Sequence, residues 1–326
     1  MILDNIGFYT LSDERAKESN VISDLSRCEL ILTDKCNFHC PYCKGVKKEY
    51  RGDISIDEAF KVIDKWASHG IQNIRFSGGE PTLYPGLLKL IYYARSIFSI
   101  KNIAISTNGS ADWEYYKELI KAGVTDFSVS LDACCSDTFE KMSKTKGSIT
   151  RLYNNIMNLS SYTYTTVGIV LTPENENEVV NIIGTANFLG VKDIRVIPAA
   201  QYDYKLHPFE AQNIWLEKFP IFRYRYNNLK EGKSVRGLNE NDNPQCPLVL
   251  DDMAVIKNHH YPCIIYLREQ GEPIGEFSDI EAVRFQRHNW FTYHDVYRDP
   301  ICHNNCLDVC REYNNRWREF KYENRV

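Results

Sequence analysis

Six short β-rich runs between Cys28 and Pro198 alternate with longer helical stretches, and that rhythm leaves a chain few folds to choose from. The runs are CELILTD (28–34), QNIRFSG (72–78), KNIAIST (101–107), TDFSVSL (125–131), TTVGIVL (165–171) and KDIRVIP (192–198). The stretches between them carry helix start and stop signals. Ser55 and Glu58 form a capping box ahead of Phe60, Ile63, Trp66 and Ala67, and Gly70 closes that helix. Leu119 and Ile120 run into Gly123, while Val179, Ile182, Ile183, Ala186 and Leu189 recur at helical spacing before Gly190. This alternation predicts a parallel α/β fold.

After Pro198 the rhythm stops. The polar stretch NNLKEGKSVRGLNENDNPQ (227–245) reads as a linker or mobile loop, and a second module should open near Cys246. The expected organisation is an N-terminal extension (1–27), an α/β domain (28–220), a linker or loop (221–245) and a C-terminal module (246–326). With 43% hydrophobic and 25% charged residues, a chain of 326 can bury a sizeable core.

A formal net charge of -4 gives no pull toward nucleic acid, whose affinity rests on Lys and Arg neutralising phosphates. The stretch Cys310 to Val326 does mix Arg311, Arg316, Arg318, Lys321 and Arg325 with aromatic residues, but Glu312, Glu319 and Glu323 dilute it, as on a solvated amphipathic helix. The first residues lack a secretory pattern, and no apolar run approaches membrane-spanning length. The expected compartment is the cytoplasm, where eleven cysteines are better explained by metal ligation than by disulfides.

Three of those cysteines follow the first apolar run directly. In TDKCNFHCPYCKG, Cys36, Cys40 and Cys43 stand at C-x3-C-x2-C spacing with Tyr42 before the last, so three thiolates face one point. A zinc site would need a fourth nearby ligand, for which His39 is the local candidate. The spacing resembles the signature of the radical S-adenosylmethionine (SAM) superfamily. That resemblance implies a 4Fe-4S cluster with one open iron that SAM chelates through its amine and carboxylate.

Further matching segments stand in family order at the ends of successive strand runs, where parallel α/β barrels build their sites. Ser77, Gly78, Gly79, Glu80 and Pro81 resemble the motif whose backbone and Glu side chain engage the SAM amino group. Ser106 and Asn108, then Ser130 and Asp132, are similar to contacts with the SAM ribose and carboxylate, and Gly168 and Ile169 to an adenine contact. The resemblance spans about residues 28–200 and implies a partial (β/α)6 barrel, reductive cleavage of SAM to a 5'-deoxyadenosyl radical, and an electron donor such as flavodoxin or ferredoxin.

Five more cysteines lie toward the C-terminus: Cys246, Cys263, Cys302, Cys306 and Cys310. The segment from Cys246 to Phe277 resembles the opening of a SPASM or Twitch extension, which implies one auxiliary 4Fe-4S cluster held by Cys246 and Cys263 and completed from Cys306, Cys310 and Cys302. Asn258 stands where that family usually has the glycine of a left-handed turn. Cys28 reads as core, and His207, His259, His260 and His303 as loop residues.

The functional expectation is a radical SAM oxidoreductase acting on a peptide or small polar metabolite, with the auxiliary cluster accepting an electron. Cys134 and Cys135, placed at the barrel mouth, keep open a redox-neutral epimerase or isomerase in which a thiol returns hydrogen to the substrate. A non-catalytic iron-sulfur or zinc module is the third reading. The molybdenum-cofactor GTP cyclases share the barrel motifs, but they have a different C-terminal cysteine pattern and a Gly-Gly end where this chain has Asn324-Arg325-Val326. About 27 residues precede the first strand, fewer than a leader-peptide-binding domain needs.

Overall fold

Strand pairing sets most of the architecture. A computed structural model describes residues 14–147, 149–201 and 209–323. Strands β1 (Arg27–Ile31), β2 (Asn73–Ser77), β3 (Asn102–Thr107), β4 (Asp126–Ser130), β5 (Tyr164–Leu171) and β6 (Asp193–Pro198) lie side by side in chain order, every pair parallel. Crossover helices pack on one face of this sheet. The helix Ile56–Ala67 starts at the expected capping box, with Ser55 Oγ accepting from Glu58 N and Glu58 accepting from Ser55 N. It buries Ala59, Val62, Ile63 and Trp66 against the sheet's apolar side, where Cys28, Ile74, Phe76, Ile105 and Phe127 lie. Cys28 is core, as the sequence suggests.

Residues of opposite parity along each strand face the other way. Ser77, Ser106, Ser128, Ser130, Gly168, Arg195 and Ile197 line the concave side, where six apolar strands would otherwise leave a packed interior. The sheet does not close: β6 is one edge, and the partial α/β barrel expected from the sequence is an open one.

Four features depart from the sequence reading. The opposite edge is not β1, because β7 (Asp252–Ile256), from the C-terminal part, pairs in parallel with it, followed by antiparallel β8 (His259–Tyr261) and β9 (Gly275–Glu276). The expected linker begins as a helix, Pro220–Lys230, that packs on β6 and buries Ile221, Phe222 and Tyr226. In the β7–β8 turn the left-handed residue is Lys257, with φ 51°, rather than Asn258. His259 and His260 belong to β8, and His303 to the helix Pro300–Asn305; His207 lies outside the described residues.

The terminal helix Asp308–Glu323 is less solvated than its composition suggests, since Tyr313, Arg311 and Asn314 are buried. Tyr313 meets Ser19 at the opposite end of the chain, and Trp317 Nε1 donates to Ser19 O at 2.8 Å. No helix among the described residues is long and apolar enough to cross a membrane.

Candidate active site and cysteine centres

The loop after β1 and the loop after β2 meet without a gap. Gly79 N donates to Thr33 O and Glu80 N to Lys35 O, both at 2.7 Å. A Cβ on Gly79 would sit 2.3 Å from Lys35 O, so only glycine lets the two backbones approach this closely. The result is a cavity of about 330 Å³ at the C-terminal ends of the parallel strands, a size fit for a small molecule. Cys36, Cys40 and Cys43 line it together with Tyr42, Ser77, Gly78, Gly79, Ser106, Asn108, Ser130, Asp132, Gly168 and Ile169. The sequence reading assigns all of these to a cofactor site, and the fold brings them to one cavity.

Local bonds hold the cysteine loop in shape. Phe38 N donates to Cys36 Sγ at 3.4 Å, and Asn108 Nδ2 reaches the same sulfur at 3.8 Å. Tyr42 OH donates to Asp132, whose other oxygen accepts from Val170 N at 2.7 Å. Burial raises the Asp132 carboxyl to about 6 and the Cys40 thiol to about 12, against the hydrogen bonds that pull each down. Three thiols converging on one cavity, with donors aimed at the Cys36 sulfur, fit the three protein ligands of a 4Fe-4S cluster.

Glu80 and Pro81 are the exceptions. Glu80 is fully buried and does not line the cavity; its carboxylate accepts from Asn108 N at 2.6 Å, Thr107 Oγ1 at 2.8 Å, and Thr82 N and Oγ1 at 3.1 and 2.7 Å. The side chain read as an amine ligand is instead the bolt between the ends of β2 and β3. Pro81 is buried at the start of a short 3-10 turn behind it.

Cys134 and Cys135 also fall elsewhere. Cys134 lines an outer groove between the helices Ile149–Tyr162 and Val179–Phe188, where its thiol donates to Glu178 Oε2 at 3.2 Å; Cys135 is exposed. Neither thiol lines the barrel cavity, which removes the geometric support for a cysteine hydrogen donor. Strand-end position was read correctly, but the side of the sheet was not.

Two cations in the cavity went unnoticed in the sequence. Arg195 projects from β6, and its signal is an arginine set between the apolar Ile194 and Val196 of a strand run. Arg268 ends the helix Ile264–Arg268 and donates to Gly78 O at 2.7 Å, Ser77 Oγ at 3.3 Å and Gly45 O at 3.3 Å. Beside it Glu269 pairs with Lys44, and Glu272 with Lys47. The C-terminal part thereby grips the backbone just beyond Cys43.

Cys246, Cys263, Cys302, Cys306 and Cys310 line a second, apolar cavity that Leu248, Ile265, Trp290 and Ile301 complete. Burial raises every one of these thiols, Cys263 to about 12. Five thiols gathered where a bare thiolate is disfavoured fit a metal-sulfur centre, since iron supplies the charge that burial withholds. Backbone and side-chain donors already address two sulfurs: Tyr266 N meets Cys263 Sγ at 3.5 Å and Asn314 Nδ2 meets Cys246 Sγ at 3.6 Å. His294 and Asp299, which no sequence spacing flags, stand beside Cys302, the ligand atoms of the three lying within 4.8 Å of one another.

Comparison with known proteins agrees with this geometry. Residues 30–186 match the family model described as the radical SAM superfamily. The chain carries a radical SAM domain. A relative from Clostridium botulinum named GTP 3',8-cyclase is 37% identical over 129 residues, 38% of this chain and 40% of that protein. The Caenorhabditis elegans molybdenum cofactor biosynthesis protein moc-5 is 30% identical over 201 residues, 58% of this chain and 33% of that one. This chain therefore spans well under two thirds of these relatives. Among solved structures, anSMEcpe with bound AdoMet superimposes with a TM-score of 0.57 at 16% identity, covering 92% of this chain and 98% of that one. Streptococcus suis SuiB bound to precursor peptide SuiA gives 0.58 at 15%, covering 88% and 68%. These two show the fold alone. The match to that family model implies SAM and a 4Fe-4S cluster as cofactors.

Proposed function

We propose that this chain is an enzyme that cleaves SAM reductively and uses the resulting radical to take a hydrogen atom from a peptide or small polar metabolite in the barrel cavity. The observation that carries the reading is the shared cavity, in which the three N-terminal thiols face the strand-end residues of β2 to β5. When bound, a reduced 4Fe-4S cluster supplies the electron that breaks the sulfonium C-S bond of SAM. The protein's own contribution is position. Gly78 and Gly79 open the backbone to the SAM amine, Ser130 and Asp132 face its polar groups, and Tyr42 holds the Asp132 carboxyl in place.

The C-terminal residues 246–326 are proposed as the auxiliary-cluster module, with Cys246, Cys263, Cys306, Cys310 and Cys302 as the ligand pool. An auxiliary cluster there favours oxidation of the substrate radical, with an outside donor such as flavodoxin or ferredoxin reducing the first cluster. A nucleotide rearrangement is the second reading, supported by the relatives named GTP 3',8-cyclase, a class the C-terminal cysteine pattern had argued against. The two differ in outcome, because oxidation removes two hydrogens from the product and a rearrangement leaves its mass unchanged.

Anaerobically reconstituted protein should convert SAM to 5'-deoxyadenosine in dithionite. The variant with Cys36, Cys40 and Cys43 all changed to Ala should not, while retaining about four irons per chain in the auxiliary centre. Cleavage surviving in that variant sinks the assignment, and zinc in place of iron removes the auxiliary cluster.

A further inference from the structure

The turn after β3 is joined to the N-terminal cysteine loop through one side-chain amide, and the surrounding bonds give that amide a single orientation. Asn108 is 9% exposed, and its backbone N donates to Glu80 Oε2 at 2.6 Å. Gly109 carries the turn on at φ 76°, where a Cβ would sit 2.4 Å from Leu152 Cδ1. Asn155, buried in the helix Ile149–Tyr162, donates from Nδ2 to Gly109 O and to Ala111 O, both at 2.8 Å. The turn is thus held on both sides by protein groups alone.

Within it Asn108 Oδ1 accepts from Ser110 N at 3.0 Å, so the amide oxygen serves its own turn and Nδ2 faces the cysteine loop. Nδ2 carries two hydrogens. One goes to Asn37 Oδ1 at 2.8 Å and the other to Cys36 Sγ at 3.8 Å. Asn37 in turn donates from Nδ2 to Ser110 Oγ at 2.9 Å, and its carbonyl accepts from Thr145 Oγ1 at 3.2 Å. The sulfur has a second donor in Phe38 N at 3.4 Å. Two N–H groups therefore converge on Cys36, one from its own loop and one from the turn after β3. The family resemblance assigns Asn108 to the SAM ribose or carboxylate, yet both hydrogens of its amide are committed to the cysteine loop.

We propose that Asn108 is a positioning residue for the N-terminal cluster, whose amide N–H on the Cys36 sulfur makes that cluster easier to reduce. Reduction adds one electron, and with it negative charge on the sulfur ligands. A fixed N–H dipole aimed at one of those sulfurs stabilises the reduced form more than the oxidised form. The inference rests on the reading of Cys36, Cys40 and Cys43 as the ligands of a 4Fe-4S cluster, and it gives the turn after β3 a part in electron uptake rather than in holding SAM.

The test is a redox titration of the anaerobically reconstituted full-length protein with dithionite and mediators, followed by electron paramagnetic resonance without SAM. The signal that changes when SAM is added afterwards identifies the N-terminal cluster. Wild type, Asn108→Ala, Asn108→Asp and Asn37→Ala are compared at equal iron content. Asn108→Ala should lower the ratio of reduced to oxidised cluster about tenfold at a fixed solution potential, a negative shift of about 59 mV for one electron. Asn108→Asp keeps the acceptor for Ser110 N and replaces the donor by oxygen, so it should shift at least as far; being isosteric, it carries the comparison if the Ala variant loses iron. Asn37→Ala removes a partner of the same amide but leaves the N–H on sulfur, and should stay within about twofold of wild type. Equal potentials in wild type and both Asn108 variants overturn the proposal. An equal shift in Asn37→Ala overturns it as well, since the effect would then lie in the shape of the loop. An unshifted potential with SAM binding weakened about tenfold in Asn108→Ala would return the residue to the SAM contact. A wild type with no SAM-responsive signal sinks the cluster reading itself and takes this inference with it.

Discussion

At the scale of single residues, the motif order locates the site, while the direction of each side chain follows from its neighbours. Gly78, Gly79, Ser130 and Asp132 were legible because strand ends and glycine loops put backbone, or a short side chain, wherever the strand stops. Glu80 was not, because its identity is fixed by the motif but its carboxylate turns inward to four protein donors. Glu80→Ala should thus act first on folding. It strands the buried donors of Thr107 and Asn108 and should cost on the order of 3 kcal/mol of stability, as breaking a buried charged network does. Differential scanning calorimetry checks it. A variant with an unchanged melting midpoint and weaker SAM binding alone would restore the direct ligand role. Arg195 and Arg268 were missed for a related reason, since nothing in one strand says which charge the rest of the barrel turns into its cavity.

Among the elements, the β7–β8 hairpin and the helix after it tie the two cysteine centres together. Cys263 caps the helix Ile264–Arg268 at one end, and Arg268 at the other reaches the loops beyond Cys43 and β2. His260 keys this hairpin to the helix Ile280–Tyr293, with Nε2 at 2.9 Å from Gln286 Oε1 and Nδ1 at 3.2 Å from Arg287 Nη1. Burial first, then the Arg287 charge and His259, hold its pKa down to about 3, from an ordinary 6.5. The folded protein therefore keeps His260 neutral, whereas the unfolded chain takes up a proton below about 6.5. The stability linked to this group is present above pH 6.5 and is lost progressively as pH falls toward 3. Melting midpoints at a fixed scan rate from pH 8 to pH 5 should fall faster for wild type than for His260→Gln. A gap between the two that stays constant with pH would show that His260 does not titrate in this way.

For the whole molecule, the six-unit rhythm was legible because each β/α unit is local, with its strand, helix and stop signal within some forty residues. The seventh parallel strand was not, since β7 pairs with β1 across more than two hundred residues of chain and carries no signal of that partner in its own sequence. Its consequence is that the C-terminal part is not an appendage. Arg27 of β1 is 2% exposed, bonded to Asp251 at 2.8 Å and placed 5.7 Å from the Tyr313 ring, so residues beyond 246 help to satisfy its buried charge. Cys28 and Leu30 of β1 likewise sit against Met253 and Val255. A chain ended at residue 245 would break the buried Arg27–Asp251 pair, worth about 3 to 5 kcal/mol when one partner is removed, and leave a bare apolar strand edge open to other chains. That truncation should accumulate as aggregate or as protein without a cooperative melting transition, while full-length protein with Cys246 and Cys263 changed to Ser should keep its sheet, as read by circular dichroism, after losing the auxiliary iron. A soluble, cooperatively melting 1–245 fragment that still cleaves SAM would show instead that the barrel is complete without β7.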